Sequence, residues 1–115
     1  MLTRLFEGGD PFIMTYGSKY YIYCTTENNR KLESANAFDT EKDGNDGFYV
    51  YESDDLINWE NKGICLDKKN AVGDRWFWSP QVSYYNGKFY MLYSAEENLA
   101  IAVSESPTGP FVKLT

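Results

Sequence analysis

Two groups of residues in this 115-residue chain are of types suited to chemistry: a carboxylate inside a tight turn, Gly8-Gly9-Asp10-Pro11, and an aromatic run, Trp76-Phe77-Trp78. A carboxylate on a stiff turn can act as a general base, taking a proton from water or a hydroxyl. Large aromatic rings offer a flat apolar surface to the C–H face of a sugar ring. Each group also has a plainer reading. Gly-Gly-Asp-Pro is an ordinary turn closed by an Asx side-chain bond, and Trp76 and Trp78 also suit packing between sheets. The chain contains no histidine, which excludes a serine or cysteine nucleophile paired with imidazole, and most zinc sites. Cys24 and Cys65 are too few for a disulfide scaffold and are expected to be two separate buried thiols.

The elements that must position these residues are strands. Apolar and polar residues alternate over short stretches, and turn signals interrupt the chain before a helical period can establish itself. Strands are expected over Pro11–Tyr16, Lys19–Thr25, Phe48–Glu52, Trp59–Leu66, Ser79–Tyr84, Lys88–Ser94, Leu99–Glu105 and Phe111–Leu114. Aromatic residues make up 17% of the chain and favour such strands. Tyr16-Gly17-Ser18 and Tyr85-Asn86-Gly87 read as tight hairpins, and Ser53-Asp54-Asp55 and Ser106-Pro107-Thr108-Gly109-Pro110 as longer turns, so consecutive strands pair as meanders. Thr26 to Asp46 is a long polar stretch expected to form a loop that shapes a rim.

Net charge and hydropathy narrow the partners. Eleven Lys and Arg stand against 17 Asp and Glu, a net charge of −6, so the basic field that attracts nucleic acid or an anionic membrane is missing. No stretch approaches the roughly 18 apolar residues of a membrane span, and the N-terminal residues lack a signal-like apolar run. The compartment stays open, with a cytoplasmic one favoured.

The chain repeats itself. With Asp10-Pro11 placed over Ser79-Pro80, 69 residues on, Lys19-Tyr20-Tyr21-Ile22 falls on Lys88-Phe89-Tyr90-Met91 without a gap. After a shorter middle loop, Val50-Tyr51-Glu52-Ser53 matches Val103-Ser104-Glu105-Ser106. Four strands occurring twice are expected to be two blades of a β-propeller, residues 1–66 and 67–115, the last strand of the second being incomplete. A ring needs typically about four to eight blades, so two leave open faces, to be covered by later blades or by copies in a homo-oligomer. The alternative is a small β-sandwich acting as an interaction module.

Blade topology sorts the loops. The start of the first strand at Asp10, the loop Thr26 to Asp46 with Glu27, the connection Asp67 to Phe77 and the turn at Glu96-Glu97 should share one rim. That rim carries Asp10, Glu27, Glu96, Trp76, Phe77 and Trp78, a combination suited to carbohydrate. Asp54, Asp55, Glu52 and Glu60 fall on the opposite turns and outer strands and are expected to be solvated, and Trp59 to be structural.

Five ordered motifs carry a family resemblance: Gly8-Gly9-Asp10-Pro11-Phe12-Ile13, Lys19-Tyr20-Tyr21-Ile22-Tyr23, Gly47-Phe48-Tyr49-Val50-Tyr51-Glu52-Ser53-Asp54-Asp55-Leu56-Ile57-Asn58-Trp59-Glu60, Trp78-Ser79-Pro80-Gln81-Val82 and Ser106-Pro107-Thr108-Gly109-Pro110-Phe111. In these the chain resembles the amino-terminal part of a glycoside hydrolase of family 43. The resemblance implies a five-bladed propeller and inverting hydrolysis of arabinofuranosyl or xylosyl linkages of plant polysaccharides, with Asp10 as the general base. Independently of the resemblance, the shared rim makes Trp78, Trp76, Phe77 and Glu27 the expected substrate contacts. The general acid and the carboxylate that tunes it are expected beyond Thr115, so this stretch alone should be nearly inactive. No cofactor is implied as required, and a central calcium is expected only in the completed propeller. Gln81 departs from the glutamate more usual in that motif. A propeller that binds carbohydrate without catalysis is the second functional reading.

Overall fold

The structure, a computed structural model, describes residues 9–25, 47–74 and 76–114. Eight strands form in chain order: β1 Gly9–Tyr16, β2 Lys19–Thr25, β3 Gly47–Ser53, β4 Trp59–Asp67, β5 Trp78–Tyr85, β6 Lys88–Ala95, β7 Asn98–Ser104 and β8 Val112–Lys113. A 3-10 turn at Lys68–Asn70 follows β4, with the Asp67 side chain accepting from the Lys69 N–H. Each expected strand is present. The last is shorter than its apolar pattern suggested, because Phe111 leaves the ladder to enter the core.

The strands make two antiparallel sheets, ordered β1-β2-β3-β4 and β5-β6-β7-β8, each a simple meander. Alternation dictates this. In β6, Phe89, Met91, Tyr93 and Ala95 are buried, whereas Lys88 and Leu92 are exposed, so one face is covered by the other sheet. The hairpin into β6 turns on Asn86 and Gly87, both at positive φ, the backbone required for a turn that matches strand twist.

The sheets meet where β5 packs against β1 and β2. Between them lies a single core that includes Tyr21, Tyr23, Phe48, Leu66, Phe77, Val82, Met91 and Tyr93. Phe48 lies edge-on to Phe77 at 6.0 Å and to Tyr93 at 5.7 Å. At the far end of the inner strands Tyr16 reaches Tyr84 at 4.9 Å and Phe89 at 4.8 Å. The β7–β8 connection reaches back to the first sheet: the fully buried Tyr23 donates its hydroxyl to the Pro107 carbonyl at 2.6 Å, and the Phe111 N–H donates to the Cys65 carbonyl at 2.8 Å. Gly109 permits this approach, since its φ is 82° and a Cβ there would stand 2.5 Å from the Cys65 oxygen. Cys24 and Cys65 are buried thiols that form no disulfide, and burial pushes the Cys65 thiol up.

The repeat explains which surfaces stay open. The first three strands of each sheet pair in the same register, Tyr23 with Val50 in one and Leu92 with Ile101 in the other. Tyr23 and Val50 are buried, while Leu92 and Ile101 are 40% and 42% exposed. The second sheet therefore presents outward the rows that the first sheet buries inward, the pattern of successive propeller blades. A sandwich would carry polar residues there. One detail of the sequence alignment is corrected. Tyr20 pairs with Ser53 and Phe89 with Ser104, so Ser53 corresponds to Ser104, two residues before Ser106. A slip of two preserves the face of every side chain, which is why sequence pattern alone did not expose it.

Candidate functional site

Each sheet opens on a β-bulge at the same rim. In β1, Gly9 pairs with Thr25 and Phe12 with Tyr23, so Asp10 and Pro11 together oppose Cys24. In β5, Trp78 pairs with Ser94 and Gln81 with Leu92, so Ser79 and Pro80 oppose Tyr93. Proline suits this place because a bulge withdraws a residue from the ladder, where a missing N–H costs nothing. Asp10 sits at φ 48° and Ser79 at φ 55°, left-handed backbone that non-glycine residues seldom adopt. The repeat thus extends to backbone conformation. The two bulges lie side by side and line one cleft of about 170 Å³, walled by Asp10, Pro11, Phe12, Ser79, Pro80 and Gln81.

Backbone strain gathers on this rim. Of the seven non-glycine residues with positive φ among the described residues, Asp10, Trp76, Ser79, Glu96 and Glu97 lie here, leaving Leu56 and Asn86 to the turns opposite. Such conformations persist where packing enforces them and concentrate where side chains must be aimed. The Asp10 side chain is exposed, and among the described residues none donates a hydrogen bond to its carboxylate or pairs with it. A carboxylate facing an open cleft from the first residues of the innermost strand can accept a proton from a molecule that enters. Thr25, paired with Gly9 beside it, is buried with its hydroxyl unpartnered among the described residues.

Trp76 and Trp78 are half-buried and stack with centroids 6.3 Å apart and planes 14° from parallel. Phe77 does not share their surface, which corrects the expectation of a substrate contact. It is 0% exposed and packs on Phe48 and Tyr93. Its ring turns into the core while the two indoles stay half-buried, and its role is packing. Glu27 lies outside the described residues. Glu96 is committed to structure, accepting the Asp74 N–H at 2.7 Å and so tying the β4–β5 connection to the β6–β7 turn. The Tyr93 hydroxyl accepts the Val72 N–H at 2.9 Å and holds the same connection.

Asp54, Asp55, Glu52 and Glu60 stand on the opposite rim or outer strands. Asp55 is exposed yet engaged: its carboxylate accepts the backbone N–H groups of Asn58 at 2.8 Å and Ile57 at 2.9 Å, which hold it well below the usual carboxylate range. Lys19 pairs with Asp54 at 2.7 Å and Glu52 at 3.9 Å, and Lys62 with Glu60 at 3.5 Å. Among the described residues no group of three or more Cys, Asp or Glu gathers as a metal site would require. What sequence reasoning left without a role is Ser79, which lines the same cleft as Asp10. Its signal was the repeat itself, which lays Ser79 over Asp10.

Comparison with known proteins agrees with the fold. The family model described as Glycosyl hydrolases family 43 matches residues 6–115. A xylosidase/arabinosidase of Bacteroides ovatus is 31% identical over 90% of this chain and 34% of its own length. An arabinoxylan arabinofuranohydrolase of Bacillus subtilis is 28% identical over 90% of this chain and 23% of its own. Among solved structures, a thermostable family-43 glycoside hydrolase superposes with a TM-score of 0.72 at 39% identity, over 94% of this chain and 32% of that one. An alpha-L-arabinofuranosidase from Clostridium thermocellum superposes with a TM-score of 0.74 at 30% identity, over 92% and 34%. The chain therefore spans about a third, or less, of the length of the relatives it matches.

Proposed function

We propose, because the chain belongs to family 43 of the glycosyl hydrolases, that its two blades carry the base half of an inverting glycosidase site, with Asp10 as general base. The observation that supports this most is the placement of Asp10: an exposed carboxylate on a strained bulge, lining an open cleft at the head of the innermost strand. In the reaction, Asp10 takes a proton from a water molecule as that water attacks the anomeric carbon. The bond to the leaving oxygen breaks on the opposite side of the sugar ring, and that oxygen receives a proton from a carboxylic acid. The acid belongs to the further length of protein that the relatives possess and this chain does not span.

The stacked pair Trp76–Trp78 supplies the apolar platform for the sugar. The substrate class is arabinofuranosyl or xylosyl linkages, a reading supported by the names of the relatives. The outward row at Leu92 and Ile101 takes a further blade, from the same longer polypeptide or from a second copy.

The test compares wild type and Asp10→Asn in the full-length gene product on aryl arabinofuranosides and xylosides. Loss of a general base lowers kcat by about 100- to 10,000-fold with substrate binding kept. Full turnover in Asp10→Asn would remove Asp10 from the mechanism and leave a carbohydrate-binding propeller.

A further inference from the structure

We infer that Ser79 is a second anchor for the attacking water, holding it within the cleft that Ser79 lines together with Asp10. The inference rests on the reading of Asp10 as base. A water that is to attack along one line needs two fixed partners, because a single hydrogen bond leaves it free to swing about the base, and orientation is a large share of the advantage of a site over solution. A carboxylate acting as base can only accept, which leaves the lone pairs of the water to be directed by another group.

The other residues of the cleft narrow the choice. Among the side chains of the cleft besides Asp10, those of Pro11, Pro80 and Phe12 have no polar atom, and those of Gln81 and Ser79 remain. Gln81 stands where the ladder has resumed, opposite Leu92, whereas Ser79 occupies the bulge position equivalent to that of Asp10. Ser79 is exposed, and among the described residues its hydroxyl has no hydrogen-bond partner. A hydroxyl can donate to the water while the water donates to Asp10. Its φ of 55° adds an independent reason. Glycine would adopt that backbone without steric cost, yet a serine stands there, aimed by the same kind of bulge that aims the base.

The experiment uses the full-length gene product and three variants, Asp10→Asn, Ser79→Ala and Ser79→Gly, assayed for kcat, KM and thermal midpoint on an aryl arabinofuranoside and an aryl xyloside. Ser79→Ala and Ser79→Gly are both expected to lower kcat about tenfold, about 1.4 kcal/mol of transition-state stabilisation, with KM unchanged and both variants folded, as their thermal midpoints would show. The glycine variant separates hydroxyl from backbone: recovery of kcat in Ser79→Gly alone would assign the effect to φ and overturn the inference. Wild-type kcat in Ser79→Ala beside an inactive Asp10→Asn would overturn it while leaving Asp10 as base. A change confined to KM would make Ser79 a substrate contact and overturn it too. Activity retained in Asp10→Asn would sink the reading of the base, and the anchor with it.

Discussion

Replacing Tyr23 by phenylalanine tests whether the two sheets are stacked blades held as one body. Tyr23 is fully buried in β2, and its hydroxyl donates across the boundary between sheets to the Pro107 carbonyl at 2.6 Å, while its ring lies edge-on to Phe111 at 6.4 Å. Tyr23→Phe keeps the ring and its packing and removes one oxygen, so the cavity contribution is small. A net hydrogen bond contributes about 0.5–1.5 kcal/mol, and an orphaned buried acceptor costs about 1–3 kcal/mol. Pro107 is half-buried, so water can partly replace the lost donor, and the sum should fall near 1–2 kcal/mol. For a chain of this size that is a fall in thermal midpoint of roughly 4–8 °C. The assay is urea and thermal unfolding of the 115-residue chain, with Tyr84→Phe as control, since Tyr84 is 47% exposed and its ring contacts survive the change. The control should stay within about 0.5 kcal/mol of wild type. A Tyr23→Phe protein as stable as wild type would refute the reasoning, because the segment Pro107–Phe111 would then not be docked on the first sheet.

Three further outcomes are expected. Trp78→Ala should raise KM for aryl glycosides in the full-length gene product with little change in kcat, because the stacked pair with Trp76 binds ground state and transition state alike; an unaltered KM would assign both indoles to packing. Stability should hold on a plateau and fall at both ends of the pH range. Burial, then the hydrogen bond with Glu52, pushes Tyr21 up to about 12, so its contribution is present below its ordinary value near 10 and is lost as pH climbs through 12. Asp55 acts in the opposite sense: held low by the Asn58 and Ile57 N–H groups, it stabilises above about pH 4 and ceases to as pH falls below that, and denaturant midpoints against pH check both limbs. Sedimentation of the 115-residue chain should show self-association through the open row at Leu92 and Ile101, whereas a monodisperse monomer with sharp near-ultraviolet dichroism would show that this face needs no cover.

Most of the architecture is local in origin, and that part was legible in the sequence. Alternation with period two, Asn86-Gly87 between strands and the recurrence of Asp10-Pro11 as Ser79-Pro80 identify eight strands in two meanders, because strand periodicity and turn chemistry depend on near neighbours. The separation of Phe77 from Trp76 and Trp78 does not come from strand alternation, since Trp76 lies at φ 59° ahead of the strand that begins at Trp78. Other features required the folded molecule. Which of two apolar faces is covered, that of Tyr23 and Val50 or that of Leu92 and Ile101, depends on where the second sheet lies, and no local pattern encodes it. The offset of the third strand was hidden because a shift of two residues leaves the pattern of faces unchanged. Above all, Asp10 and Ser79 lie far apart in the chain and meet in one cleft only because two equivalent bulges are brought side by side by β5 packing on β1. Sequence alone supplied the acid and the repeat, whereas inter-sheet packing, which is non-local, decided what shares the cleft with the acid.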